Sequence, residues 1–485
     1  MGDKGDMAEK PIFHLQPKQF WMNDPNGMCF IGGMFHMFYQ HNPFSAVWGN
    51  MTWGHAISPD MVHWRRLPNA LHPDMPYDKD GVFSGCCVVR EGIPHILYTG
   101  VYPETLCLAK GDAQGMVFEK HADNPILTRG ERKLAGWRDP YVWRQDGVYN
   151  MLIGSGDEDG GFAESYRSKD LLQWESRELF AHSKDCGGIN YYDDKMWECP
   201  VFFYNDSGDA ALIVSAAPKA VTRLFVGRLD GRRFTDCIPR MLDLGDCLYA
   251  PNIVRHPDGR WILFGWQRET GDAEKRAAQG WQGMLTLPRE LRLDGGRFYV
   301  SPAREIDSLR GRRLLHYEGE CPPVAEMAIK PHYEIEARLR AGNGRAIFSL
   351  LSAGAGGSDC NADDAGSNNG GISSGVGDNP SGDYNAFVNF KISDGRIALT
   401  NGYAPHTANN PMLPKISKNN EHHIRIFVDG TSIEAYIDSR YSLTTRAYPP
   451  VAAGCLRVSA EKGCEINMLD VYEMNDCYEN ADEYR

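Results

Sequence analysis

The chain has 485 residues, 42% of them hydrophobic and 24% charged, an ordinary globular balance long enough for two or three domains. A net charge of −13 argues against nucleic acid or an anionic membrane surface as a partner and leaves a small-molecule or oligosaccharide substrate as the expected one. No apolar run reaches the ~18 residues of a membrane span, and the 13 cysteines, odd in number and without a C-x-x-C pair, are expected as reduced thiols in a cytoplasmic protein, with a secreted protein whose signal has been removed as the alternative.

Residues 1–11 read as a polar N-terminal tail lacking the apolar core of a secretion signal. From 12 to 303 helical periodicity is scarce. The apolar segments are short, rich in Val, Ile, Phe and Tyr, and bounded by Gly, Asp, Asn and Pro, which predicts many short strands. A glycine turn followed by a strand recurs at Gly33, Gly92, Gly147, Gly208 and Gly259, at intervals of 59, 55, 61 and 51 residues. A second element, Ser58-Pro-Asp-Met-Val-His-Trp64, is echoed by Ser168-Lys-Asp-Leu-Leu-Gln-Trp174. Five copies, each with room for about four strands, predict a five-bladed β-propeller. Residues 304–315 read as a linker with a short helix over 304–310. From 316 to 485 the pattern becomes alternating strands, clearest on either side of Asp429-Gly430, which predicts a hairpin and a β-sandwich domain. The Gly-, Ser-, Asp- and Asn-rich stretch 353–382 is expected as a long mobile loop. The fold class is therefore all-β, a five-bladed propeller followed by a C-terminal β-sandwich.

Polar residues gather just upstream of the repeated glycines. Asp24 precedes Gly33, Ser84 precedes Gly92, Asp139 precedes Gly147, Glu198 precedes Gly208 and Tyr249 precedes Gly259, each by eight to ten residues. In a propeller the first strand of each blade lines the central channel, so these positions are expected to occupy one equivalent slot around one axis. Acids set among aromatics and prolines at such a place are costly unless they are used. Glycosidic cleavage needs a carboxylate pair, one ionised and one able to give a proton to the leaving oxygen. Trp197, Cys199 and Pro200 give Glu198 an apolar setting that favours the protonated acid. Asn23 and Asn26 flank Asp24 with donors that suit an ionised nucleophile. Asp139, beside Arg138, is expected to be ionised and to steady an oxocarbenium-like transition state. Trp21, Trp48, Trp53, Phe83 and Trp266 lie near these positions, and aromatic faces pack on the C–H faces of sugars. No His or Cys spacing suggests a metal site.

Taken together, these residues resemble glycoside hydrolase family 32, the invertase, inulinase and levanase group. Trp21-Met-Asn-Asp-Pro-Asn-Gly27 is similar to the family's WMNDPNG signature. Tyr39-Gln-His-Asn-Pro43, Trp48-Gly49, Trp53-Gly-His55, Phe83-Ser-Gly85, Trp137-Arg-Asp-Pro140, Glu198-Cys-Pro200, Leu287-Pro-Arg-Glu-Leu291 and Ser432-Ile-Glu-Ala-Tyr436 resemble its later segments, in order. The resemblance implies a retaining β-fructofuranosidase with Asp24 as nucleophile, Glu198 as general acid/base and Asp139 as transition-state stabiliser. It also implies that Asn23, Gln40, Trp48, Phe83, Ser84 and Arg138 bind the terminal fructosyl unit, with no cofactor; Tyr249 and Trp266 are added as substrate contacts. Departures at Gly85-Cys86, Gly265-Trp266-Gln267 and Asp246-Cys-Leu-Tyr249 fall on the leaving-group side.

Three rivals share this pattern. A fructosyltransferase would use the same triad with a sugar acceptor. An inverting arabinan-type hydrolase on a related propeller lacks the Trp21-to-Gly27 segment, and an inactive homologue would not keep all three acids. Preference among sucrose, inulin, levan and phosphorylated sucrose, and the choice between monomer and homodimer, are open at this level.

Overall fold

The structure, a computed structural model, describes residues 9–186, 194–270, 273–319, 324–352, 386–393, 396–401, 416–448 and 454–478. The expected loop at 353–382 lies outside the described residues. Strands dominate, interrupted among the described residues by the five-residue helix Ala273–Ala277 and the 3₁₀ segment Arg304–Leu309.

The chain divides into two compact units. The first holds His14–Asp243, Cys247–Ile306 and Cys477 onward, and contains, among the described residues, five sheets that are antiparallel apart from one short pairing in the first. Their first strands are Phe20–Ile31, Gly81–Arg90, Gly136–Gln145, Met196–Tyr204 and Leu248–Arg255. Each of these pairs with the next strand in sequence, and the sheet continues outward strand by strand. The five first strands pack against one another in a closed cycle, with the fifth against the first. This is a five-bladed propeller. The first sheet also takes in a strand from the far end of the propeller, through the parallel pairing of Phe20 with Trp281 and Trp21 with Gln282.

The sequence repeats have physical causes. All five repeated glycines sit in the turn after a first strand, with φ between +78° and +95°, a region that a side chain disfavours. In the second repeat, Ser58 Oγ accepts from the amides of Asp60 and Met61, and Asp60 Oδ1 from those of Val62 and His63. Ser168 and Asp170 repeat all four bonds with Asp170, Leu171, Leu172 and Gln173. The Ser-x-Asp echo is thus a side-chain-closed turn between outer strands.

The second unit comprises Met1–Phe13, Leu244–Asp246 and Asp307–Asp476. Among the described residues it contains a six-stranded and a five-stranded antiparallel sheet, with apolar side chains such as Ile335, Ala337, Phe348, Leu350, Ile426 and Val458 fully or almost fully buried. The predicted hairpin joins Glu421–Asp429 to Ser432–Ile437. Three expectations about segments change. The 304–315 linker contains a 3₁₀ turn followed directly by a sheet strand, Arg310–Glu318. Ile12 and Phe13, expected at the start of the propeller, belong with this second unit, where their amides donate to the buried Asp429 carboxylate. Cys477 and Tyr478 belong with the propeller, where the Tyr478 hydroxyl accepts from the Gln16 amide.

Candidate active site

Alternation along an extended strand sends neighbouring side chains to opposite faces. Trp137 and Trp197 are buried between blades, Trp137 donating from Nε1 to Glu164 and Trp197 packing 5.4 Å from Phe225. Arg138 and Glu198, the next residues, therefore turn to the channel. Each first strand then bulges. Pairing skips between Arg138 and Tyr141, between Glu198 and Val201, and between Tyr249 and Asn252. Asp139, Cys199 and Ala250 occupy the bulges with φ of +65°, +46° and +45°, each followed by proline.

This register corrects the slot assignment drawn from glycine spacing. Glu198 shares its position with Arg138 and Tyr249, not with Asp139; the residue equivalent to Asp139 in the fourth blade is Cys199. Counting from the shared prolines of Asp24-Pro25, Asp139-Pro140, Cys199-Pro200 and Ala250-Pro251 would have found this. The glycine turns missed it because the spacing between bulge and turn varies from blade to blade.

Asp24, Asp139 and Glu198 nevertheless converge. Cys199 Sγ lies 3.6 Å from Asp24 Oδ2 and 3.5 Å from Asp139 Oδ2, and the Cys199 amide donates to Asp139 Oδ2 at 2.9 Å. Asn23 Nδ2 donates to Asp24 Oδ1 at 2.9 Å, and Ser84 Oγ to Asp24 Oδ2 at 2.7 Å. Asn26, the other expected donor, does not reach Asp24; its amide is buried without a partner. Burial raises the Asp24 pKa, the Ser84 and Asn23 bonds oppose this, and the charge of Glu198 adds to it. Asp139 was expected to be ionised beside Arg138. Burial, with the charges of Glu198 and Asp24, instead pushes its pKa up to about 7, against the opposing pull of Arg138.

The Arg138 guanidinium explains part of that difference. Its terminal nitrogens are committed elsewhere, Nη2 to Glu198 Oε1 at 2.5 Å and Nη1 to Glu104 Oε1 at 2.5 Å, while Nε stays 4.0 Å from Asp139 Oδ2. The Tyr249 hydroxyl makes a short bond to Glu198 Oε2. The apolar setting expected for Glu198 is thus a polar one, between a guanidinium and a phenol.

The remaining predicted residues fall around this group. Trp48, 57% exposed, meets Phe83 edge-on at 5.9 Å, and Phe83 meets Tyr102 at 6.3 Å. Trp266 stands edge-on to Trp21 at 5.7 Å and to Tyr249 at 6.3 Å. Gln40 is buried and donates from Nε2 to the Val82 carbonyl, tying the first blade to the second. Thr99 and Glu104 were not picked out in the sequence, and Cys199 was read there only as part of an apolar setting for Glu198. Thr99 Oγ1 accepts from the Asp139 amide and so holds the bulge. Glu104 had no motif to mark it, because it lies in a turn between second-blade strands. A cavity of about 680 Å³ lies further along the same first strands, lined by residues such as Gly27, Cys87, Val142, Phe203 and Val254; none of the three carboxylates lines it. Among the described residues no group of three His, Cys, Asp or Glu side chains could hold a metal ion.

Comparison with known proteins places this arrangement. Residues 14–302 match the glycosyl hydrolases family 32 N-terminal domain, and residues 385–473 match the family's C-terminal domain. A raffinose invertase from Escherichia coli is 31% identical over 479 residues, covering 93% of this chain and 92% of its own. A cell-wall β-fructofuranosidase from Zea mays is 33% identical over 363 residues, 67% of this chain and 59% of its own. Among solved structures, a variant of a Bombyx mori β-fructofuranosidase in complex with sucrose has a TM-score of 0.75 at 25% identity, covering 97% of this chain and 95% of its own. Fructan 1-exohydrolase IIa from Cichorium intybus shares the fold, with a TM-score of 0.77 at 20% identity over 96% of this chain and 97% of its own.

Proposed function

The chain belongs to glycosyl hydrolases family 32, and from that premise we propose that it releases fructose from β-fructofuranosides, sucrose or short fructans, with retention of configuration. The observation that carries this reading is the convergence of three carboxylates, from the first, third and fourth blades, around Cys199 and Arg138.

In this reading Asp24 attacks the anomeric carbon of the fructosyl unit. Asn23 and Ser84 hold one carboxylate oxygen each, so the nucleophile is oriented before substrate arrives. Glu198 gives its proton to the departing glycosidic oxygen, and its carboxylate then takes a proton from the water that cleaves the fructosyl–Asp24 ester. Asp139, with a pKa near neutrality, meets the sugar hydroxyls as donor or acceptor. Trp48, Phe83 and Trp266 supply apolar faces, and Gln40, Arg138 and Tyr249 complete the polar surround.

The test is product analysis on sucrose. Equal release of glucose and fructose, with β-fructofuranose as the first anomer by proton NMR, is expected. A large excess of glucose would indicate transfer to a sugar acceptor, and the inverted anomer would remove Asp24 as nucleophile. Asp24→Ala is expected to lower kcat by at least ~10³-fold and Glu198→Ala by ~10²–10⁴-fold, both with unchanged circular dichroism. Near-normal turnover in either variant would end the assignment.

A further inference from the structure

Glu104 is a buried carboxylate that the reaction above does not use. It lies in the turn between the second-blade strands Ile93–Val101 and Thr105–Gly111, yet it reaches the first strand of the third blade. Its side chain is 7% exposed. Oε2 accepts from the Trp137 amide at 2.8 Å, and Oε1 from Arg138 Nη1 at 2.5 Å. Arg129 Nη1 stands 3.9 Å from Oε2. An arginine commonly places both terminal nitrogens on one carboxylate. Here Glu104 takes one of them and leaves the other for Glu198, so the guanidinium bridges two acids.

We propose that Glu104 is a positioning residue for the general acid: by occupying Arg138 Nη1 and fixing the Trp137 amide, it keeps Arg138 from closing bidentately on Glu198 and adds a fourth carboxyl group to the site.

This rests on the reading of Glu198 as acid. An acid must hold a proton until the leaving oxygen needs it. A guanidinium given wholly to Glu198 would favour its carboxylate form and weaken it as a donor. The groups that face Glu198 are Arg138 and Asp139 from the third blade, Asp24 from the first, Tyr249 from the fifth and Cys199 beside it. Arg138 is the sole guanidinium bonded to it among the described residues. How that one cation is divided therefore sets the balance, and Glu104 divides it.

The experiment compares Glu104→Gln with wild type and with Glu198→Ala on two substrates, sucrose and 4-nitrophenyl β-fructofuranoside. The nitrophenolate departs without a proton. Glu104→Gln is expected to lose ~10-fold in kcat on sucrose with KM nearly unchanged, to keep its rate on the nitrophenyl substrate, and to move the alkaline limb of kcat/KM on sucrose down by ~0.5–1 pH unit. Glu104→Asp, which keeps the charge with a shorter reach, is expected to restore most of the limb. Equal losses on both substrates, or an unmoved limb, would overturn the proposal and leave Glu104 as a packing residue. If Glu198→Ala is not itself selective for sucrose, the failure lies with the acid assignment instead. Should Glu104→Gln not fold, Glu104→Asn, which also removes the charge, carries the same comparison: a loss selective for sucrose supports the proposal, and an equal loss on both overturns it.

Discussion

Asp139 shows what it costs to crowd carboxylates. Its pKa rises from 3.8 to about 7 because it is buried beside Glu198 and Asp24, and the fold therefore prefers it protonated. A carboxyl whose folded pKa is raised costs nothing at pH values below its unfolded pKa. It costs progressively more as pH climbs from there to the folded pKa. Asp139→Asn removes that cost. Its Tm is expected to equal wild type near pH 4 and to exceed it increasingly up to about pH 7, by about 2–4 °C for each kcal/mol relieved, while turnover falls. Thermal scans across that range check it, and a constant Tm difference at all pH values would contradict the linkage. His332 shows the opposite sign. It contacts Asp429 at 2.8 Å and Glu9 at 3.1 Å, and although burial opposes protonation, these two acids raise its pKa to about 9. Its contribution is complete below pH 6.5 and is lost as pH rises through 9. Since Asp429 also receives the amides of Ile12 and Phe13, His332→Gln is expected to expose residues 9–13 to protease at neutral pH, whereas wild type becomes equally sensitive only near pH 9. Limited proteolysis at both pH values separates the two.

Among the elements, the strand from Met196 to Tyr204 depends on close backbone approach. A Cβ on Gly161 would stand 2.4 Å from Trp197 Cδ1, and one on Gly154 would stand 2.3 Å from the Trp197 carbonyl oxygen. Gly161→Ala must therefore displace the indole that anchors Glu198. The expected cost is ~1–3 kcal/mol together with a fall in kcat, read by urea melts and sucrose kinetics; loss of stability alone would mean that Glu198 is held independently of Trp197. These same elements show how far the sequence could be read. The five turn glycines and the Ser-x-Asp turns recur because a local backbone conformation demands them, so five blades were legible from residue identity. The bulges were not, because they are set by pairing across strands. That is why Glu198 was placed one residue out of register, and why Glu104 and Thr99, which act from neighbouring blades, left no mark. The mutual placement of Arg138 and Asp139 was misread for a similar reason. Adjacency in sequence suggested a close ion pair, but the pleat sends the terminal nitrogens of the guanidinium to Glu104 and Glu198 and leaves Nε, 4.0 Å away, for Asp139.

For the whole propeller, closure of the ring decides whether the site exists. The first strand is held at one side by Met34–Asn42 and at the other by the short parallel match with Trp281–Gln282, reinforced by the Phe20 amide on the Gly280 carbonyl and by Gln282 Nε2 on the Ala46 carbonyl. Gln282 is buried, and Gln282→Ala leaves that carbonyl without its donor, at a cost of ~1–3 kcal/mol. Because Asp24 lies on the closing strand, activity and propeller circular dichroism are expected to be lost at the same urea concentration, lower than in wild type. Activity lost well before the fold would show that the strand detaches by itself.

The closure also has a consequence in time. Asp24 leaves the ribosome early, but the residues that clasp its strand from the other side are made more than half a chain length later. At ~5–20 residues per second that interval is on the order of ten to fifty seconds. Throughout it the nascent polypeptide already carries Asp24, soon Asp139 and then Glu198, with no completed ring to bring them to one point. Synthesis itself thus acts as a delay, and the chemistry begins only when residue 282 has emerged.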